Sequence, residues 1–151
     1  PETEKNKAEF FYGRSQNYLW TLLPAAFGEE NLKKLPKSEK EAFISKYKIR
    51  LVDLIEEVTV DEGEEANYND VYIDKRVTKW RDIVTLIDNL PYLKKVCFTR
   101  KTFAGIPNIR KQIEKIQESC ENRGIRFKAL PTPARFYNEN KQRIWSDFFL
   151  E

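Results

Sequence analysis

Histidine and methionine are both missing from this sequence of 151 residues. Histidine is the commonest general acid and base in enzymes and a frequent metal ligand. Its absence excludes histidine-dependent catalytic triads and every metal site that needs an imidazole. Because methionine is missing even at position 1, we expect the native chain to start upstream of Pro1.

Cysteine is also scarce, because Cys97 and Cys120 are the only two in the chain. Two widely separated thiols are too few for a zinc or iron–sulfur site, so we expect no metal and no cofactor. Each cysteine falls in an apolar segment and is expected to lie in the core. Two reduced thiols are typical of a cytoplasmic protein.

Long apolar runs and a signal peptide are absent as well. A membrane-spanning helix needs about 18 or more apolar residues in a row, so we expect no membrane association. Hydrophobic residues make up 40% of the chain and charged residues 34%, which indicates a globular protein with a real core. The formal net charge of +3 permits nucleic-acid binding without requiring it. We expect one domain over residues 1–151, and a monomer.

The apolar pattern predicts helices that alternate with strands. Helices are expected over residues 17–27, 36–47, 77–90, 109–120 and 144–149, and strands within 49–60, at 94–99 and at 126–130. The stretch 49–60 also leaves room for a short helix, and the acidic stretch 61–70 is expected to be a loop. This alternation favours an α/β fold with a parallel sheet that is covered on both faces.

Cations follow two of the predicted strands. In open parallel sheets, ligands bind at the carboxyl ends of the strands. Thr99, Arg100 and Lys101 end one strand, and Arg135 follows the next. Cations and hydroxyls on loops held by a rigid sheet suit contacts with phosphates. The alternative is that these side chains are merely solvated.

The segment "PTPAR", residues 131–135, joins the last predicted strand to the last helix. Pro131 and Pro133 fix their own φ angles, so the loop around Thr132 is stiff. A stiff loop suits insertion against a nucleic-acid backbone, and it is also a common way to end a strand.

The segment "FFYGRSQNYLW", residues 10–20, places five aromatic residues around a polar turn. Leu19 and Trp20 fit the apolar face of the helix that follows and are expected in the core. Phe11 and Tyr12 lie beside Gly13, and rings next to a glycine turn suit stacking on a flat ligand such as a base. The alternative is that these rings are also core residues.

The chain resembles the uracil-DNA glycosylase superfamily, above all its mismatch-specific and hypoxanthine-DNA glycosylase-like branches. The segment "FFYGRSQNYLWTLLPAAFGE" is similar to a superfamily segment that reads roughly Tyr-Tyr-x-His-Pro-x-Asn-x-Phe-Trp and continues as a helix. The segments "KIRLVDLIEEV", "KKVCFTRKTF" and "FKALPTPARFYNENKQRIW" follow in the expected order, so the similarity spans nearly the whole chain. It implies a three-layer α/β/α domain with a short, mainly parallel central sheet.

The resemblance also implies a function, namely extrusion of a damaged or deaminated base from DNA and hydrolysis of its N-glycosidic bond. By position, Phe11 or Tyr12 would stack on the base. Gly13 would lie in the wall of the same pocket, and Asn17 would support it. The loop 132–135 would grip the DNA strand near the lesion.

Two departures from the family pattern concern the catalytic edge. Arg14 and Ser15 stand where relatives have His-Pro, and they would contact DNA together with Arg100 and Lys101. The superfamily's first strand and its water-positioning loop are expected upstream of Pro1, so the catalytic residues stay unassigned. A non-catalytic nucleic-acid-binding module on the same fold is the first alternative. A small α/β domain that binds a nucleotide or a protein partner is the second.

Overall fold

The computed structural model describes residues 17–64 and 69–151. The predicted pocket residues Phe11, Tyr12 and Gly13, and the predicted DNA contacts at Arg14 and Ser15, lie outside the described residues. The remaining predicted site residues lie within them, namely Asn17, Arg100, Lys101 and the loop 132–135.

The described residues form a mixed α/β structure of six helices and four strands. The helices are α1 (Leu19–Ala26), α2 (Lys37–Lys46), α3 (Asp70–Asp74), α4 (Ile83–Asp88), α5 (Pro107–Asn122) and α6 (Glu139–Leu150). The strands are β1 (Ile55–Val58), β2 (Val77–Trp80), β3 (Lys95–Phe98) and β4 (Arg126–Ala129). Six of the eight predicted elements thus coincide with an observed one, and the stretch 49–60 contains a strand as expected.

The strands of the described residues pair in two separate sheets of two strands each. Strands β3 and β4 are parallel and in continuous register, from Lys95 opposite Arg126 to Phe98 opposite Ala129. Helix α5 joins them, as a parallel pair requires a crossover connection. Strands β1 and β2 are antiparallel, and their register is irregular.

The prediction of one helix over 77–90 is wrong at its start. Val77 lies opposite Val58 in the β1–β2 ladder, and Trp80 lies opposite Ile55. Helix α4 begins only after Asp82, whose carboxylate accepts a hydrogen bond from the backbone N–H of Thr85 at 3.1 Å. Apolar residues three apart fit both a helix and a short irregular strand, and here strand pairing decides.

The chain divides into two compact units by its internal contacts. Among the described residues, unit 1 covers the range 52–129, and unit 2 covers the range up to 51 together with 130–151. Each unit has its own buried apolar cluster.

The core of unit 1 is the apolar stripe of α5. The stripe packs against α4 and against the residue before α5. The buried residues of this core are Ile83, Ile87, Ile106, Ile109, Ile113, Ile116 and Cys120. The apolar residues at helical spacing along α5 therefore form a buried stripe, as the sequence predicts. Burying each such side chain stabilises the fold by about 1.5–3 kcal/mol.

The start of α5 is capped from outside the helix. Ile106 precedes the helix and offers no capping side chain. The carboxylate of Asp74, which is buried, instead accepts hydrogen bonds from the backbone N–H groups of Asn108 at 3.1 Å and Ile109 at 2.6 Å. These two donors would otherwise be orphan groups of the first helical turn.

The core of unit 2 forms between α1 and α6. The apolar face of α1 buries Trp20, Leu22 and Leu23, and α6 contributes Trp145 and Phe148. Leu19 and Trp20 are thus core residues, as the sequence predicts. This packing fixes where α1 begins and where the segment before α6 must run, and both positions matter for the candidate site.

Candidate nucleic-acid interface

The start of α1 is joined to the loop that precedes α6. Asn17 and Ala134 form an isolated antiparallel bridge. The backbone N–H of Tyr18 donates a hydrogen bond to the carbonyl oxygen of Pro133 at 2.7 Å. The side-chain Oδ1 of Asn17 accepts from the backbone N–H of Leu19 at 3.0 Å, which fixes the first turn of the helix. Two segments of the predicted site, around Asn17 and at 132–135, therefore lie together in unit 2.

The loop 131–138 has a well-defined conformation. The hydroxyl of Thr132 accepts a hydrogen bond from the backbone N–H of Ala134 at 3.2 Å, and Pro133 is buried. Arg135 is exposed and has a φ of 76°, a left-handed conformation that few residues other than glycine adopt. Such a conformation costs about 1–2 kcal/mol, so the surrounding contacts must hold it in place.

Helix α6 supplies many of those contacts. Asn138 caps the helix, because its Oδ1 accepts from the backbone N–H of Lys141 at 2.8 Å. The ammonium of Lys141 donates to the carbonyl oxygens of Ala134 at 3.2 Å and Phe136 at 3.0 Å. The same ammonium lies 3.8 Å from the centroid of the Phe136 ring. Lys141 is only 7% exposed, so it acts as an internal clamp for the loop.

Three rings around this loop form what we name the aromatic surface, defined as Tyr18, Phe136 and Tyr137. Phe136 is 53% exposed and Tyr137 is 41% exposed. The rings of Tyr18 and Tyr137 are 6.2 Å apart between centroids. The ammonium of Lys33 lies 4.4 Å from the centroid of the Tyr18 ring and also donates to the backbone carbonyl of Asn17.

Cations of unit 2 repel each other in two pairs, Arg135 with Lys141 and Lys40 with Lys33. Desolvation, and then the charge of Arg135, lower the pKa of Lys141. Desolvation, and then the charge of Lys40, lower the pKa of Lys33. The loop 131–138 carries one cation and no carboxylate. An anion bound beside these cations would relieve their mutual repulsion.

The sequence did not single out Phe136, Tyr137, Lys33 or Lys141. The adjacent rings directly after Arg135 are the signal that was present in "ARFYN". Their exposure depends on how α6 packs, which the local pattern does not encode. Lys141 lies on a helix face that reads as polar, and the loop carbonyls it binds are set by tertiary structure.

The predicted cations Arg100 and Lys101 belong to unit 1 and have different surroundings. The guanidinium of Arg100 donates to the carboxylate of Asp70 at 2.6 Å and to the carbonyl oxygen of Thr102 at 2.7 Å. Arg100 therefore already has an anionic partner, which favours a structural role. Lys101 is exposed.

The thiols are poor nucleophiles in the native state. Burial raises the pKa of Cys97 above its ordinary value of 9.0 to about 12. Burial, and then the charge of Glu121, also raise the pKa of Cys120. A reactive thiol needs the opposite shift, because only the thiolate attacks.

Metal clusters and membrane-spanning helices are not found in the described ranges. Within residues 17–64 and 69–151, no three histidine, cysteine or acidic side chains come together in a way that could hold a metal ion. In the same ranges, no helix combines the length and the apolar character that crossing a membrane requires.

No protein-family model matches the chain, and no curated protein or solved structure matches it either. The function of the site must therefore be inferred from its own geometry and from the resemblance of the sequence segments.

Proposed function

We propose that this protein is a DNA glycosylase-like enzyme, which extrudes a damaged or deaminated base from DNA and hydrolyses its N-glycosidic bond. The observation that carries the proposal is the bridge between Asn17 and Ala134. It brings Asn17, from the first segment of the family resemblance, into direct contact with Ala134 of the last segment. The proposal includes a three-layer α/β/α arrangement as the architecture that supports the site.

The stiffness of the loop 131–138 supports this function. Extruding a base costs a few kcal/mol, and a rigid element that holds the distorted strand offsets part of that cost. The loop is fixed by the Tyr18–Pro133 hydrogen bond on one side and by Lys141 on the other. Arg135, exposed at the turn, provides a cation for a phosphate beside the extruded nucleotide.

The experiment is a base-release assay with the full-length natural protein. Oligonucleotides that contain uracil, hypoxanthine or a mismatched thymine are incubated with the protein, and abasic sites are detected by alkaline strand cleavage. We expect release from at least one substrate, in single or double strands. A folded protein that releases none of these bases would contradict the proposal.

A pair of matched variants tests the role of Asn17. We expect Asn17→Ala to lower the rate of base release at least 10-fold, because the N–H of Leu19 loses its acceptor and the start of α1 shifts against the loop. Asn69→Ala is the control, since Asn69 caps α3 in unit 1 through the same contact two residues ahead, at 2.9 Å to the N–H of Val71. Equal rates for the two variants would argue against a role for Asn17 in the pocket.

A non-catalytic nucleic-acid-binding module is the second candidate. The specific observation in its favour is the composition of the loop 131–138, which carries a cation and exposed rings but no carboxylate. This module would bind DNA with an affinity that falls as salt rises, through counterion release, and would release no base. The base-release assay separates the two candidates.

A further inference from the structure

The glycosylase proposal assigns no role to the exposed rings of Phe136 and Tyr137. Among the described residues, strongly exposed aromatic side chains are found at Tyr92, Phe136 and Tyr137. Single exposed apolar residues are ordinary, whereas here the exposed ring of Tyr137 lies 6.2 Å from that of Tyr18 between centroids, and the exposed ring of Phe136 precedes it on the same loop, so this loop presents an apolar patch. Such a patch, if rimmed by polar groups, is typical of a binding surface.

The rings of the patch are held in place before any ligand arrives. The hydroxyl of Tyr137 donates to Oε1 of Gln142 at 3.3 Å, and Nε2 of Gln142 donates to the carbonyl oxygen of Leu22 at 2.9 Å. The ammonium of Lys141 holds Phe136 in two ways. It donates a hydrogen bond to the carbonyl oxygen of Phe136, and it lies over one face of the ring. Rings that are fixed in advance lose little conformational entropy on binding.

The charges around the patch are complementary to a polyanion. Lys33 lies over Tyr18, and Arg135 directly precedes Phe136. The nearest carboxylate along the chain after Arg135 is Glu139, in the first turn of α6. Aromatic rings flanked by cations are the combination that binds single-stranded nucleic acid, since bases stack on the rings and phosphates pair with the cations.

We propose that Tyr18, Phe136 and Tyr137 form a stacking platform for unpaired bases of single-stranded nucleic acid, with Arg135 and Lys33 contacting the backbone phosphates. Paired bases in a duplex stack on one another and offer no free face to such rings, so the platform selects unpaired strands. The inference rests on the proposed function, because it names the form of the strand that the same site binds.

The experiment measures binding of a fluorescent, undamaged oligothymidylate to the full chain by anisotropy, with a duplex of equal length for comparison. Base–ring stacking contributes about 1–3 kcal/mol per base, so we expect Phe136→Ala and Tyr137→Ala each to weaken single-strand binding by about 5- to 150-fold. Tyr137→Phe, which keeps the ring, should restore affinity to within about 2-fold. Tyr92→Ala removes an exposed ring of unit 1, and we expect it to change nothing.

Salt dependence tests the cations separately. Each phosphate contact to a single strand contributes about 0.7 to the slope of log K against log salt. We therefore expect Arg135→Gln to lower that slope by about 0.7, while Tyr137→Ala leaves the slope unchanged. Circular dichroism of each variant confirms that the fold is retained.

The outcomes separate this inference from the proposed function. Single-strand binding that survives both ring-to-alanine changes, or tighter binding to the duplex, overturns the platform whether or not bases are released. Binding that depends on the rings, in a protein that releases no base, supports the platform and contradicts the glycosylase activity. Weakened single-strand binding by the two ring variants, together with slower base release from a single-stranded substrate, supports both.

Discussion

The indole Nε1 of Trp145 donates a hydrogen bond to the carbonyl oxygen of Pro131 at 2.9 Å. Trp145 is buried on α6, and Pro131 is the first residue of the loop 131–138. This contact fixes the beginning of the loop, as Lys141 fixes its middle. The position of the candidate interface therefore depends on a residue in the hydrophobic core of unit 2.

Trp145→Phe removes the indole donor and keeps an aromatic ring. We expect the free energy of unfolding to fall by about 1–3 kcal/mol, because the Pro131 carbonyl loses its partner and the smaller ring leaves space. Urea denaturation measures the change. The loop is also loosened, so single-strand binding should weaken. Trp80→Phe, a half-buried tryptophan of unit 1, serves as the control and should leave that binding unchanged.

Gly105→Ala should destabilise unit 1 more than Gly124→Ala does. Both glycines have a left-handed backbone conformation, with φ of 76° at Gly105 and 68° at Gly124. Both substitutions therefore cost about 1–2 kcal/mol of backbone strain. Only at Gly105 would the new Cβ also meet a side chain, since Cγ2 of Val71 lies 3.1 Å away. Thermal unfolding measures both variants. Val71→Ala in the Gly105→Ala background should remove the extra destabilisation of Gly105→Ala over Gly124→Ala. If that extra destabilisation stays the same, the steric explanation is contradicted.

Cys97 makes stability depend on pH in the alkaline range. Its native pKa of about 12 exceeds the ordinary 9.0, so the native state holds the proton when the unfolded state has lost it. The contribution is complete below pH 9 and is lost as pH rises from 9 towards 12. At pH 10 the loss is about 1 kcal/mol.

Unfolding of Cys97→Ala at pH 7 and pH 10 tests this linkage. The gap in unfolding free energy between wild type and variant should shrink by about 1 kcal/mol at the higher pH. For Val96→Ala, which alters the same strand without a titrating group, the gap should stay constant. A constant gap for Cys97→Ala as well would refute the shifted pKa.

Asp74→Ala should destabilise the protein by about 2 kcal/mol, because the N–H groups of Asn108 and Ile109 lose their acceptor in a buried position. Asp82→Ala removes an exposed cap of α4 and should cost less. Equilibrium unfolding in urea gives both values. Equal losses of unfolding free energy for the two variants would mean that burial of the Asp74 carboxylate adds nothing to the stability that its cap provides.

The sequence predicts elements best where one periodicity is sustained. Helix α5 keeps its apolar spacing over 16 residues, so its existence and its buried face were both predictable. Residues 77–80 were misassigned, because a four-residue strand is too short to show alternation. Helix α3 was not predicted, since its five residues depend on the cap from Asn69 and on tertiary contacts.

The site was predictable to the extent that it follows local segments. The resemblance predicts Asn17, and the strand-end pattern together with the resemblance predicts the loop 132–135; in unit 2 they are in contact. The partner of Arg100 was not predictable, because Asp70 lies 30 positions earlier in the chain. The exposed rings after Arg135 were missed, since exposure is decided by distant packing partners.

Unit 2 is assembled from two separated stretches of chain, and this has a consequence during synthesis. Gln142 on α6 bonds to the carbonyl oxygen of Leu22, which was added 120 positions earlier. While residues 52–129 emerge from the ribosome, α1 has no α6 to cover Leu22 and Leu23. Helix α1 therefore keeps an uncovered apolar face until α6 has emerged, and transiently exposed apolar surface of this kind favours aggregation or chaperone binding.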